Sequence, residues 1–369
     1  MTKSTRYLAL DVFRGATVCL MIVVNSPGEW GVQYGPLQHA AWHGFTLTDL
    51  VFPSFLFAVG NAMAFVMERF AEQSDRVFWK KIIKRTFLIF MIGFLLSWFP
   101  FFDFQTGEFR SLATTRIPGV LQRIAFCYAI ASILGHYCTR VQLAVTSVGL
   151  LLGYWVVVYS LGTGDPYSLT GFVGNTIDRY LLGDSHLYTG EGRPFDPEGV
   201  LSTIPAVVNV ILGYFTGIYI RARGNTYEAI AKLMIAGAVL VLSGFWWDLF
   251  FPFNKKIWSS SFVLLTAGLD MMVLAVLVFV IEIKNFRRWT YFFEVFGRNP
   301  LIIYALSGVL ITVFYLVKID GQSVLGFVYG FFLHFMSPAH ASFVFAVVFM
   351  LVNWSVGYLM DRKKIYIKV

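Results

Sequence analysis

Ten stretches of the chain are apolar enough, and long enough, to cross a bilayer: about 10–26, 47–68, 82–102, 117–137, 141–161, 200–221, 230–251, 258–282, 292–316 and 339–360. A span of the hydrocarbon core takes about 20 residues. It is read as helical because only a helix or a closed barrel satisfies its own backbone in lipid. A further apolar stretch, 323–336, is too short to span and predicts an interfacial helix before the last crossing. Two polar intervals stand out. Residues 27–46 are rich in Gly, Trp and His and contain no Lys or Arg, and residues 162–199 form the longest loop, with Asp165, Asp178, Asp184, His186, Glu191, Asp196 and Glu198. Long loops in compact proteins tend to carry function, and this one is expected to fold over an outer vestibule. The predicted fold class is an all-α polytopic membrane helix bundle of about ten transmembrane helices. It is read as one transmembrane domain over 1–369, with the long extracytoplasmic loop at about 162–199.

Charge then orients the bundle. Lys and Arg concentrate in alternate intervals: Lys3 and Arg6; Arg69, Arg76, Lys80, Lys81, Lys84 and Arg85; Arg140; Arg221, Arg223 and Lys232; Lys284, Arg287 and Arg288; and Arg362, Lys363, Lys364 and Lys368. The positive-inside rule puts those intervals, and both termini, in the cytoplasm. Lys255 and Lys256 form a basic pair on the opposite side. The composition agrees, with 57% hydrophobic and 14% charged residues, against roughly 25% charged in a soluble domain. The net charge of +8 sits in these short clusters rather than in a basic stripe, so nucleic acid is not an expected partner. Cys19, Cys127 and Cys138 are odd in number and lie in or beside apolar runs. They predict buried thiols, not a disulfide framework or a metal site. The first apolar run carries Asp11 and Arg14 with no cleavage signature after it, so it is read as a retained signal anchor.

Ionisable residues within apolar spans mark functional interiors. Asp11 and Arg14 share one helix face, three residues apart, as a self-neutralising pair or as an orienting network around a ligand. Asp49 opens the second span, either as a helix N-cap or as a working carboxylate. Arg116 and Arg123 flank Pro118, and Arg298 and Asn299 precede Pro300. Arginine suits phosphate, and a proline-interrupted helix frees backbone groups for a ligand. The competing reading pairs these arginines with Asp248, Asp270 or Glu294. D-P-E-G at 196–199 reads as a helix start with Pro in the first position. His39 and His43 lie four apart beside Trp42, but without the acidic partner of an H-E-x-x-H zinc helix, so no metal is expected. Imidazole changes protonation near neutral pH. At a bilayer face beside Trp42 and close to Asp49, a histidine of this pair is therefore the sharpest candidate for proton transfer, and a carboxylate such as Asp49 could fix its tautomer.

L-D-V-F-R-G at 10–15, V-N-S-P-G at 24–28 and L-Q-H-A-A-W-H-G-F-T-L-T-D-L-V-F-P-S-F-L-F at 37–57 resemble the heparan-α-glucosaminide N-acetyltransferase family, which includes a lysosomal enzyme and bacterial NagX-type proteins. Further matches follow in order: R-I-P-G-V-L-Q-R at 116–123, I-D-R-Y-L-L-G-D-S-H-L-Y at 177–188, D-P-E-G-V-L-S-T-I at 196–204, N-K-K-I-W-S at 254–259 and G-R-N-P-L-I-I-Y at 297–304. The resemblance implies acetyl transfer from cytosolic acetyl-CoA to the amine of a terminal glucosamine on the far side of the membrane. It places the family's active-site histidine on His39 and an implicated asparagine on Asn25. His43 stands where the lysosomal pattern has Asn, and the loop between Asn25 and His39 is longer. The expected acceptor therefore widens to free glucosamine or a cell-wall amino sugar.

On this reading His39 is the general base that deprotonates the amine, or a transient acetyl carrier. Asn25 donates to the developing oxyanion. Asp49, Asp11 and His43 orient. Arg14, Arg123, Arg298 and Asn299 are candidates for the CoA phosphates. Trp42, Asp178, Asp184, His186, Asp196 and Glu198 are candidates for the sugar. The expected partners are acetyl-CoA, an amino sugar, the lipid bilayer and a second copy of the chain, in a bacterial inner membrane. Two rival classes stand beside it: an amino-sugar permease, and an O-acetyltransferase of a cell-envelope glycan.

Overall fold

The computed structural model describes residues 7–71, 73–104 and 106–367, the side chains of Arg69 and Ala71 excepted. Lys3, Arg6 and Lys368 lie outside the described residues. Fourteen α-helices follow in order among the described residues: α1 (Leu8–Asn25), α2 (Leu47–Met63), α3 (Met67–Ala71), α4 (Asp75–Trp98), α5 (Val120–Tyr137), α6 (Arg140–Leu161), α7 (Val173–Leu182), α8 (Thr203–Arg223), α9 (Tyr227–Asp248), α10 (Ser260–Val278), α11 (Thr290–Arg298), α12 (Pro300–Leu316), α13 (Val324–Leu333) and α14 (Pro338–Arg362). Two antiparallel two-residue ladders accompany them, Phe102–Asp103 with Glu108–Phe109 and Lys318–Ile319 with Gln322–Ser323. Every apolar stretch read from the sequence is helical, and the all-α polytopic membrane class is borne out.

Among the described residues, six helices are long and apolar enough to cross a membrane, and seven if the bent pair α11 and α12 is one span. The other three expected spans fall short for local reasons. The apolar helix α2 has only 17 residues. Charges crowd the first half of α4, from Asp75 to Arg85. α5 carries Arg123 and His136 within 18 residues. The ninth expected span is broken, with α11 and α12 meeting at 84°. Asn299 ends one helix and begins the next, and Pro300 opens α12 where its missing N–H costs nothing.

Helix ends follow their side chains. Thr139 and Gln142 form a reciprocal capping box at α6, and Thr226 accepts from Ala229 N at α9. D-P-E-G does not start a helix, because α8 begins at Thr203. Asp196 Oδ1 accepts from Glu198 N at 3.0 Å, and Gly199 N closes on Asp196 O at 3.0 Å. That side-chain turn outcompetes helix entry. Cys19 and Cys127 are buried free thiols as expected, whereas Cys138, at the C-terminal flank of α5, is half-buried.

The described residues group by their contacts into two compact units, one of residues 7–40, 46–52 and 280–367 and the other of residues 41–45 and 53–279. In the first, α1 packs on α11, α12 and α14. A Cβ on Gly15 would lie 1.9 Å from Phe293 O, and one on Gly297 2.4 Å from Asp11 O. Glycine at both positions therefore lets the two backbones touch, the small-residue packing that membranes favour. In the second unit, α9 lies along α10, with Gly237 and Gly268 facing each other's carbonyl oxygens. Two sets of buried polar side chains pair with one another there: Ser54 Oγ with Asp270 Oδ1 at 2.5 Å, and Asn209 with Thr266 Oγ1 at 3.1 Å and Trp258 Nε1 at 3.0 Å.

Candidate active site

In the first unit, the chain leaves α1 at Asn25 and docks on the start of α14. Ser342 Oγ exchanges hydrogen bonds with Glu29 N and O, both at 3.2 Å. Tyr34 meets His340 and Phe343 edge-on. These contacts lead the chain to His39. Its Nδ1 lies 2.7 Å from Asp49 Oδ1.

Asp49 is 1% exposed and sits in the first turn of α2. The expected cap is thus displaced: Thr46 precedes the helix, and Asp49 reaches back to it. Asp49 Oδ2 accepts from Thr46 N at 3.0 Å, Thr46 Oγ1 at 3.1 Å and Ala40 N at 3.1 Å. This is half of the capping box that T-L-T-D offers. Thr46 Oγ1 also donates to Gln38 O at 2.7 Å, so the loop closes on both sides of His39. A carboxylate accepts only, so Nδ1 carries the proton and the ring's lone pair is on Nε2. The imidazole is partly open, at 36% side-chain exposure. A buried carboxylate, held by backbone donors, thus orients a ring that can take a proton. Asn25 is exposed, at the last residue of α1.

The arginines assigned to CoA are engaged within the protein. Arg14 pairs with Asp11 at 2.8 Å and donates to Gly297 O from Nε at 3.0 Å and Nη2 at 2.5 Å. Arg298 is held by Glu294 at 3.0 Å and by Asp361. Asp361 also accepts from Tyr291 and Tyr366, each at 2.9 Å. Asn299 donates to Ile365 O and accepts from Ile367 N, both at 2.9 Å, tying the chain beyond α14 to the bend. Of the acids considered as structural partners, Glu294 pairs with Arg298, Asp270 binds Ser54, and Asp248 accepts from Phe253 N at 2.6 Å.

In the second unit, Trp42 Nε1 donates to Tyr167 O at 2.8 Å, and its ring lies 5.5 Å from Phe195 and under Lys256. Lys256 Nζ bonds Ala41 O at 2.7 Å and Glu191 at 2.8 Å. His43 Nδ1 is 3.4 Å from Asn254 Nδ2. Desolvation holds the His43 imidazole below its usual range, against Asp165 and Asp248. Asn254 and Lys256 were not singled out as site residues, although N-K-K-I-W-S had flagged the segment. Position 254 is fully buried, with Oδ1 accepting from Ile257 N at 3.0 Å.

The acidic loop is largely self-paired. Asp196 grips Arg116 with both oxygens, at 2.8 and 2.6 Å, and Glu198 joins at 2.5 Å. Burial works against the Arg116 charge, but the two carboxylates raise its pKa overall. Arg123 is 1% exposed, bonds Ser202 and Gly199 O, and stacks on Trp258 at 4.9 Å. Asp184 is bound bidentately by Arg179, at 2.6 and 2.7 Å. His186 Nδ1 donates to Thr115 O at 2.7 Å. Asp178 accepts from Val200 N at 2.8 Å. Burial pushes its carboxyl up to about 7, with Asp196 adding to the rise and Val200 N and Arg123 opposing it. The structure thus joins His39 to Asp49, Trp42 to the long loop, and the loop acids to Arg116.

Residues 6–182 match the family model described as "Heparan-alpha-glucosaminide N-acetyltransferase, catalytic". A heparan-alpha-glucosaminide N-acetyltransferase from Mus musculus is 28% identical over 363 residues, covering 84% of this chain and 54% of the relative. One from Homo sapiens is 29% identical over 356 residues, covering 81% and 52%. The chain spans about half the length of these relatives. On these matches it is similar, over most of its own length, to the heparan-alpha-glucosaminide N-acetyltransferases, the family its motifs resemble.

Proposed function

We propose that this protein is a transmembrane N-acetyltransferase that takes acetyl from acetyl-CoA on the cytoplasmic side and delivers it to an amino-sugar amine across the membrane. The observation that carries the reading is the His39–Asp49 pair, which lies inside the matched catalytic segment 6–182. An ammonium is no nucleophile, so the acceptor must lose a proton before attack. His39 Nε2 takes it, and Asp49 balances the imidazolium that forms. The amine nitrogen then bonds to the thioester carbonyl, the C–S bond breaks, and CoA leaves as its thiol with the second proton that the nitrogen sheds on becoming an amide. The same Nε2 can instead carry the acetyl between donor and acceptor. Asn25 serves the oxyanion. Arg14, at 27% side-chain exposure, suits a CoA phosphate better than Arg123, which is 1% exposed, or Arg298, which is held by two carboxylates. Trp42, braced beside Lys256, suits the face of a sugar ring.

The test uses proteoliposomes with acetyl-labelled CoA and glucosamine on opposite sides. N-acetylated sugar in the wild type and none in His39→Ala, at equal folded protein, supports the reading. Uptake of intact sugar without acetylation would make the protein a permease, and a base-labile ester product would make it an O-acetyltransferase.

A further inference from the structure

Within the second unit, α8 and α9 are consecutive yet barely touch. α9 packs along α10, whereas α8 packs on α5, α6 and α10. The wedge between them is a cavity of about 290 Å³, lined by the mostly apolar Phe215, Tyr219, Leu233, Ala236 and Met271 together with Thr216 and Lys232. Apolar cavities of this kind stay dry. In a membrane-spanning bundle the medium that fills a lateral wedge is lipid, and Ala236, on its wall, is exposed.

The wedge is flanked by two cations and one carboxylate. Lys232 bonds Glu228 at 2.6 Å, and Arg223, in the last turn of α8, lies near enough to act on both Lys232 and Glu228. The group carries one net positive charge. The Tyr219 hydroxyl has no hydrogen-bond partner among the described residues. A ligand that complements both features carries a long apolar chain and a single negative charge with acceptor oxygens. Phosphodiester lipids have that chemistry, and basic residues beside membrane helices attract them.

We propose that the α8–α9 wedge is a binding site for one anionic phospholipid, its acyl chain against Phe215, Leu233, Ala236 and Met271 and its phosphate held by Lys232 and Arg223. Native mass spectrometry of the full chain, with phosphatidylglycerol, phosphatidylethanolamine and inorganic phosphate as probes, tests this. Phosphatidylglycerol should be retained at least about fivefold better than phosphatidylethanolamine. Lys232→Gln combined with Arg223→Gln, both exposed positions, should erase that preference while leaving the unfolding midpoint in place. Ala236→Phe, which fills the wedge from its lipid-facing wall, should reduce retention of both lipids. Equal retention of the two lipids by the wild type would overturn the site. So would unchanged phosphatidylglycerol retention in both variants, or displacement of the lipid by millimolar inorganic phosphate.

Discussion

Two carboxylate clusters, one in each unit, use the same chemistry to opposite ends. Asp49 spends one oxygen on backbone and hydroxyl donors and offers the other to His39. Asp196 and Glu198 close on Arg116, a side chain that never loses its charge. The first arrangement leaves a titratable ring aimed and partly open. The second cancels charge and fixes a loop. A carboxylate partnered by imidazole can take part in proton transfer, whereas one partnered by guanidinium only holds. On the reading proposed above, the loop acids are architecture and Asp49 belongs to the reaction.

Substitutions can break this contrast. The largest effect is expected from His39→Ala, a loss of acetyl transfer of about 1,000-fold in product formation at equal folded protein. Asp49→Asn should follow, with a fall of about 100-fold carried by kcat rather than KM. An amide at 49 can present N–H to the ring and force the wrong tautomer, while its oxygen still closes the turn at Thr46. Wild-type kcat in Asp49→Asn would reduce the pair to a helix cap. Arg116→Ala should leave activity per folded molecule intact and cost about 3 kcal/mol of stability, because Asp196 would stay buried without its counter-charge. Unfolding in detergent measures this, and an unchanged midpoint would sink the architectural reading. Asp178→Asn should have the smallest effect. The folded carboxyl holds its proton up to about pH 7, against an ordinary value of 3.8. Between those values the unfolded chain has lost the proton and the folded one has kept it, so stability falls as pH rises through that window. The slope is at most about 1.4 kcal/mol per pH unit. The variant should flatten it, and an unaltered pH dependence would remove Asp178 as its source.

Much of this was legible in the chain and some was not. Long apolar runs fixed the helices because a run of about 20 apolar residues suits a spanning helix and is about twice what a barrel strand needs. His39 and Asp49 are ten residues apart, around a turn that T-L-T-D closes locally, so their meeting could be expected. The cap was misplaced by a few residues because Thr46, Thr48 and Asp49 all carry capping side chains. Pro300 announced an interruption, but neither the 84° bend nor the bonds of Asn299 to Ile365 and Ile367, 66 and 68 positions away. The partners of Arg116 lie 80 and 82 residues along the chain. Nothing local in a sequence separates an acid that binds a sugar from one that binds a distant arginine. The division into two units was also hidden, since the boundary falls inside the continuous apolar run of α2.

The Asn299 clasp has a practical side. Its amide grips Ile365 and Ile367 as a neighbouring strand would, so residues 363–367 brace the corner where α11 turns into α12. A chain shortened to Arg362 would release that corner and take Tyr366 from Asp361. Any affinity tag or reporter attached downstream should therefore leave residues 363–367 intact and carry its own spacer.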